Sequence, residues 1–233
     1  MTVVPAFPPL LQGEAVARDP FEAACLRAAR GVDAGLVCHA VAADRLAAAL
    51  VLAPEVPLAD AASMLPLCGV GFQNALGALA PPEVAVHLDW DGGLRVNGAR
   101  CGRLAIAAST DDPDAVPDWI VVGLEIPILP TGGAPGDDPD QTCLAEEGCV
   151  EVAPDRLLEA WSRHSLVWIR RWEEEGARPL HAEWRGLAHG IGAAATRSGR
   201  TGTFVGIDER FGMLLRDGAD THLIPLTDLL VRP

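Results

Sequence analysis

The chain has 233 residues, of which 49% are hydrophobic, and carries a formal net charge of −14 at pH 7. This length suits one sizeable core with a smaller second domain, and the negative charge argues against nucleic acid as a partner, because phosphate binding needs clustered lysine and arginine. All 18 basic side chains are arginines, which excludes Schiff-base chemistry and a P-loop lysine.

The N-terminal segment lacks the positive charge and the uninterrupted apolar run of a secretory signal, since Pro5, Pro8 and Pro9 interrupt it. Along the rest of the chain, no run reaches the roughly 20 apolar residues that span a bilayer. The six cysteines are scattered, which favours reduced thiols in a core over a disulfide framework. We therefore expect a cytoplasmic protein that contacts no membrane.

The first predicted element is a helix over residues 19–31. Asp19 suits the N-cap of this helix, its interior is rich in alanine, and Gly31 suits its end. Two apolar runs come next, at residues 35–40 and 47–53, each bounded by turn residues or charge. Both runs predict strands of a sheet, although the second run could also be helical.

One long helix is predicted over residues 58–80, because apolar residues recur there at near-helical spacing until a proline pair ends the pattern. Residues 84–90 then alternate as a strand. The short strand 94–96 ends in an Asn-Gly turn at residues 97–98. Two further apolar strands, 103–108 and 118–126, flank an acidic loop, so the region is a β-meander.

The segment 129–140 is dense in proline, glycine and aspartate, which predicts a mobile surface loop. Helical periodicity returns over residues 155–176, with tryptophans on the apolar face. Short strands punctuated by glycine then form a compact β tail. We predict two domains, residues 1–186 and residues 187–233.

Three short segments, residues 94–104, 119–128 and 171–176, and the order of the elements resemble the biotin/lipoate protein ligase family. The first resembles the family hairpin that presents a lysine before a glycine pair. The second resembles the strand whose glycines line the acyl pocket. The resemblance implies an α+β fold, with a mixed sheet flanked by helices as in class II aminoacyl-tRNA synthetases, and a small C-terminal SH3-like β-barrel domain.

The family activates a carboxylic acid with ATP and passes the acyl group to a lysine of a carrier protein. In this sequence, Arg100 stands at the position of the family lysine and Arg103 replaces the second glycine of the pair. Trp90 alone remains of the family's Trp-Pro-Asn-Asp signature, and residues 40–46 replace a loop rich in glycine and arginine. These departures predict a relative that binds a related ligand, or an acyltransferase that works with arginines and a thiol, rather than a ligase with the standard ATP-dependent chemistry.

The resemblance assigns candidate catalytic roles to Arg100 and Cys101. Because neighbouring cations lower a thiol pKa, Cys101 beside Arg100 and Arg103 could be a nucleophile, but a small core residue is the alternative. His39, likewise, is a pocket residue or a hydrogen-bonded structural one. The candidate ligand-binding residues are His39, Trp90, Asn97, Gly102, Arg103, Gly123 and Glu125.

The first functional hypothesis is a protein that binds a small carboxylate or acyl-adenylate, such as biotin, lipoate or a fatty acyl group. ATP with Mg²⁺, and biotin or lipoate, are the candidate cofactors, and a biotinyl or lipoyl carrier protein is the candidate partner. The second functional hypothesis is a catalytically inactive interaction protein that keeps the fold. A homodimer is expected by analogy. No metal site is expected, because Cys143 and Cys149 lack the paired spacing of zinc ligands.

Overall fold

The larger part of the molecule is built on one mixed β-sheet; the structure is a computed structural model that describes residues 5–130 and 140–232. The strands of this sheet are β1 (Gln12–Ala15), β2 (Leu36–Val41), β3 (Arg45–Leu52), β4 (Val86–Leu88), β5 (Gly93–Val96), β6 (Ala99–Ala108) and β7 (Ile120–Pro127). Their order across the sheet is β1-β2-β3-β7-β6-β5-β4. β1 pairs with β2 in parallel, and the other neighbouring strands pair antiparallel.

Five helices accompany the strands in the described residues: α1 (Pro20–Ala28), α2 (Leu58–Ala61), α3 (Met64–Gly77), α4 (Pro154–Glu175) and α5 (Arg178–Leu187). α3 and α4 pack on one face of the sheet, where they enclose the main core. The Trp161 indole Nε1 donates to the carbonyl of Cys68 at 3.1 Å, and Trp168 Nε1 donates to Asn74 Oδ1 at 2.7 Å. These two tryptophans of α4 are therefore core residues that hold it against α3.

The opposite face of the sheet is covered only in part, by α1. Asp19 caps this helix, since its Oδ1 accepts the backbone N–H groups of Phe21 and Glu22 at 2.9 and 3.0 Å. The buried side of α1 consists of alanines and Cys25, which pack on small and β-branched residues of the strands. Small side chains let the helix lie close to the sheet, and the sheet surface beside its first turn stays open.

A small antiparallel sheet forms the C-terminal part, with strands β8 (Ala194–Arg197), β9 (Arg200–Ile207), β10 (Met213–Asp217) and β11 (Asp220–Ile224) in the order β11-β10-β9-β8. A 3₁₀-helix, Leu226–Leu229, comes after β11. The chain then returns to the larger sheet, where Leu230 bridges to Ile106 and the Val231 N–H donates to the Ile106 carbonyl at 2.8 Å. We call residues 188–232 the C-terminal module.

The predicted fold class, a mixed sheet flanked by helices with a small C-terminal β domain, is confirmed. The single helix predicted over residues 58–80 is wrong in detail, because the chain breaks between α2 and α3. β1 and α5 were not predicted. The loop predicted at 129–140 lies largely outside the described residues, which omit 131–139. No helix in the described parts of the chain is long and apolar enough to cross a membrane.

Candidate functional site

A groove of about 440 Å³ lies on the open part of the sheet, beside the first turn of α1. We call it the sheet groove. Strands β3, β7 and β6 form its floor, α1 forms one wall, and the end of the C-terminal module reaches its rim. The residues that line it include Asp19, Phe21, Glu22, Arg45, Ala47, Arg103, Ala105, Gly123, Glu125, Val231 and Arg232.

One cross-strand row of the floor carries charge. Ala47 pairs with Glu125, and Glu125 pairs in turn with Arg103, so the three residues share one face of the sheet. Arg103 Nε and Nη2 donate to Glu125 Oε2 at 3.0 and 2.9 Å. Arg45 Nη2 lies 3.0 Å from the other oxygen, Oε1. Two arginines thus hold one carboxylate at this end of the groove.

The next row along the strands is small and apolar. Ala49 pairs with Gly123, and Gly123 pairs with Ala105. Because side chains alternate along a strand, this row faces α1 as the charged row does. Phe21 lies directly above it, since a Cβ on Gly123 would stand 2.6 Å from Phe21 Cδ2. The sheet groove is therefore polar at one end and apolar at the other.

Arg100 lies outside this arrangement, in a group that we call the Asp89 cluster: Asp89, Asp91, Arg95 and Arg100 with His189 and Arg197 of the C-terminal module. Arg100 Nη2 donates to Asp89 Oδ2 at 2.8 Å, and Arg95 Nε donates to Asp89 Oδ1 at 2.8 Å. Burial alone would raise the pKa of Asp89, but the hydrogen bonds from Arg95 and Arg100 outweigh it and lower that pKa. Asp89 is therefore a largely buried carboxylate that stays ionised.

The Asp89 cluster also joins the two parts of the molecule. Asp91 accepts from Arg100 Nη2 at 3.2 Å and from Arg197 Nη2 at 2.6 Å. His189 Nδ1 lies 3.0 Å from Asp89 Oδ1. The arginine at the predicted lysine position is thus held by two carboxylates, and it only borders a second cavity of about 420 Å³ beside the sheet groove.

Cys101 is fully buried in the main core. The cause is a register shift on the β5–β6 ladder, where Gly93 pairs with Arg103 but Arg95 pairs with Arg100, so β6 has one extra residue and its alternation breaks. Burial raises the pKa of the Cys101 thiol, and the nearby Cys143 raises it further. The expectation that the neighbouring arginines lower the pKa of this thiol is wrong.

Three other candidate residues lie away from the groove. Trp90 is buried and donates through Nε1 to the Phe211 carbonyl at 2.7 Å. Asn97 occupies the hairpin turn with φ of 50°, where its Oδ1 accepts the Ala85 N–H at 3.0 Å. His39 is buried against Phe7, with ring centroids 5.6 Å apart, and burial lowers its pKa.

The remaining candidates do meet. Arg103, Gly123 and Glu125 line the sheet groove, and Gly102 borders the adjoining cavity. Gly102 has φ of 116° and packs against the Glu125 carbonyl, so only glycine suits this position. Sequence reasoning did not select Phe21 or Arg45, although the two-residue period of β3 places Arg45 on the same face as Ala47.

In the parts of the chain that the structure describes, no group of three or more histidine, cysteine, aspartate or glutamate side chains is placed to hold a metal ion. The six cysteines are all buried and unpaired. The arrangement therefore offers arginines, a carboxylate and a small apolar surface as its chemistry.

Two family models match the chain. The model of the biotin/lipoate A/B protein ligase family matches residues 7–186, and a domain of unknown function, DUF4444, matches residues 191–232. No curated protein matches this chain.

Among solved structures, a biotin protein ligase-like protein of unknown function from Silicibacter sp. TM1040 is 65% identical, with a TM-score of 0.94, and the match covers 98% of this chain and 100% of that one. The biotin protein ligase of Aquifex aeolicus is 15% identical, with a TM-score of 0.73 and coverage of 92% and 94%. That of Leishmania major, in complex with biotinyl-5-AMP, is 17% identical, with a TM-score of 0.57 and coverage of 94% and 98%. The last two similarities concern the fold.

Proposed function

The chain belongs to the biotin/lipoate A/B protein ligase family, and from that premise we propose that it binds a small carboxylic acid in the sheet groove. The observation that carries this proposal is the pairing of a charged row, which holds Arg103, with a small apolar row at Gly123 on one surface. An acid has the matching polarity, with an anionic head and an apolar body. Guanidinium groups bind carboxylates through charge-assisted hydrogen bonds.

The charged end of the groove can accept such a head group. Arg103 is 71% exposed and Arg45 is 47% exposed, so both guanidinium groups reach solvent while they hold Glu125. Arg103 donates to Glu125 through Nε and Nη2, which leaves its third nitrogen for another acceptor. A ligand carboxylate would share the arginines with Glu125 or displace its side chain.

ATP with Mg²⁺ fits these residues poorly. The acids that line the sheet groove, Asp19, Glu22 and Glu125, balance the three arginines that line it, so a triphosphate would meet little net positive charge. The turn between β2 and β3 contains only residues 42–44, too few to cover phosphates. Arg100 already binds two carboxylates. We infer that the acid binds without ATP-dependent activation.

The alternative of a pure interaction protein has less support. Exposed large apolar side chains, such as Leu10, Val150 and Leu223, lie in separate parts of the chain. A biotinyl or lipoyl carrier protein, a homodimer, a cytoplasmic location and a preference for biotin or lipoate are proposals that rest on the family alone.

Calorimetric titration of the purified protein with biotin, lipoate, octanoate and ATP tests the proposal. We expect at least one acid to bind and ATP not to bind. Arg103→Gln should weaken acid binding about tenfold or more, since a hydrogen bond to a charged group contributes roughly 1.5–3 kcal/mol. Arg170→Gln is the matched control, because Arg170 is exposed in a surface ion pair on α4. Failure of every acid to bind at millimolar concentration would refute the proposal.

A further inference from the structure

Phe21 closes the apolar end of the sheet groove. It lies directly after the capped Asp19–Pro20 start of α1, so the cap fixes where the ring enters the groove. The ring lies on Gly123, at a separation that leaves no room for even a methyl group on that residue. Any larger side chain at position 123 would therefore collide with Phe21.

Behind Phe21 the sheet is sealed. Ala23, Ala24 and Ala28 of α1 are 0–6% exposed and pack on the strand residues that continue the floor, such as Val121. Along β7, a ligand that lies on the floor can extend from the arginine pair only as far as the Phe21 ring. Glu125 and Gly123 are two residues apart on β7, which corresponds to roughly 7 Å of strand.

We propose that Phe21 is a specificity-determining residue that limits the sheet groove to short acyl carboxylates. This inference rests on the proposed function, because it assumes that the acid head lies at Arg45 and Arg103. An extended chain of eight carbons is longer than the floor between the charged row and the Phe21 ring. Longer chains therefore have to turn away from β7 towards the open rim at Val231, where they expose methylene groups to water.

The experiment is a titration series of butanoate, hexanoate, octanoate and decanoate against the native protein, Phe21→Leu and Phe21→Ala. The native protein should bind butanoate or hexanoate best. Phe21→Ala should move the optimum to octanoate or decanoate, with each newly buried methylene tightening binding roughly fourfold. Phe21→Leu should give an intermediate optimum, and it keeps the test valid if the alanine variant unfolds.

Val167→Ala is the control, since Val167 is an apolar residue of α4 that is 63% exposed and does not line the groove. It should leave the preferred chain length unchanged. If the native protein binds acids and the optimum stays the same in both Phe21 variants, the role of Phe21 is refuted while the proposed function stands. If the native protein binds none of the acids, the proposed function fails, and this inference fails with it.

Discussion

Arg100 and Arg103 lie on the same strand, yet their surroundings differ completely. Arg100 is 36% exposed and contacts Asp89 and Asp91, and Asp89 is itself only 10% exposed. Arg103 is 71% exposed and contacts Glu125. The first arginine connects two partly buried acids to the C-terminal module, and the second lies at the rim of an open groove. The difference shows that the partners of a cation, more than its position in a family motif, determine what it can bind.

The register shift on β6 produces this separation. On one side of the shift Arg103 pairs with Gly93, and on the other side Arg100 pairs with Arg95. Gly93 has to be small, because a Cβ there would lie 2.5 Å from Asp89 Oδ2 and 2.8 Å from Arg100 Nη2. The Asp89 cluster therefore occupies space that a side chain at position 93 would take.

The largest effect that separates the two regions should come from Asp89→Ala. Removal of this largely buried carboxylate leaves Arg95 and Arg100 without their shared partner, which should lower the free energy of unfolding by about 2–3 kcal/mol. Glu125→Ala is the control at the groove, where exposed pairs contribute about 0–1 kcal/mol. Urea denaturation monitored by circular dichroism measures both values. Equal losses in the two variants would show that the contrast between the regions is wrong.

A second prediction concerns the apolar end of the groove. Gly123→Ala should lower the free energy of unfolding by about 1–3 kcal/mol, because the new methyl group overpacks against Phe21. In the Phe21→Ala background the same substitution should be nearly neutral. A double-mutant cycle in urea measures this coupling. Additive losses would mean that Phe21 does not lie on Gly123.

We expect acid to weaken the Asp89 cluster, because protonation of Asp89 removes the negative charge that Arg95 and Arg100 contact. Because the pKa of Asp89 is lowered on folding, its carboxylate stabilises the protein above the ordinary value of 3.8 and loses that contribution as the pH falls below it. Below about pH 4, the free energy of unfolding should decrease less steeply with falling pH in Asp89→Asn than in the native protein. The hydrogen bond from Arg27 also lowers the pKa of Glu14, so the titration of Glu14 should leave part of the pH dependence in both proteins. Parallel pH profiles of the two proteins would contradict this.

Much of the fold could be predicted because local signals agree with it. α1 has a cap, and α4 has a helical apolar face that becomes its buried side. β1 gave no such signal, since its residues are mostly exposed and it pairs at an edge of the sheet. The break after α2 gave none either, because buried apolar residues continue on both sides of it. Pairing and packing across the molecule decided these elements.

The site was predictable only where alternation was regular. Arg103, Gly123 and Glu125 belong to paired strands and do face one groove. Cys101 falls within the register shift, so its position beside two arginines in sequence does not make it their neighbour on the sheet surface. Val231 reaches the groove through a backbone bond to Ile106, a contact that no local pattern indicates.

The smallest expected change in stability belongs to Arg103→Gln, within about 1 kcal/mol, because its ion pair with Glu125 is largely solvated. Arg100→Gln should cost more, since the neutral amide cannot satisfy both Asp89 and Asp91. Ligand binding should show the reverse order, with acid binding weakened by Arg103→Gln and retained by Arg100→Gln at a temperature where both variants are folded. Denaturation and calorimetry on the same two proteins give this crossed comparison. Loss of acid binding in Arg100→Gln would instead place the Asp89 cluster within the binding site.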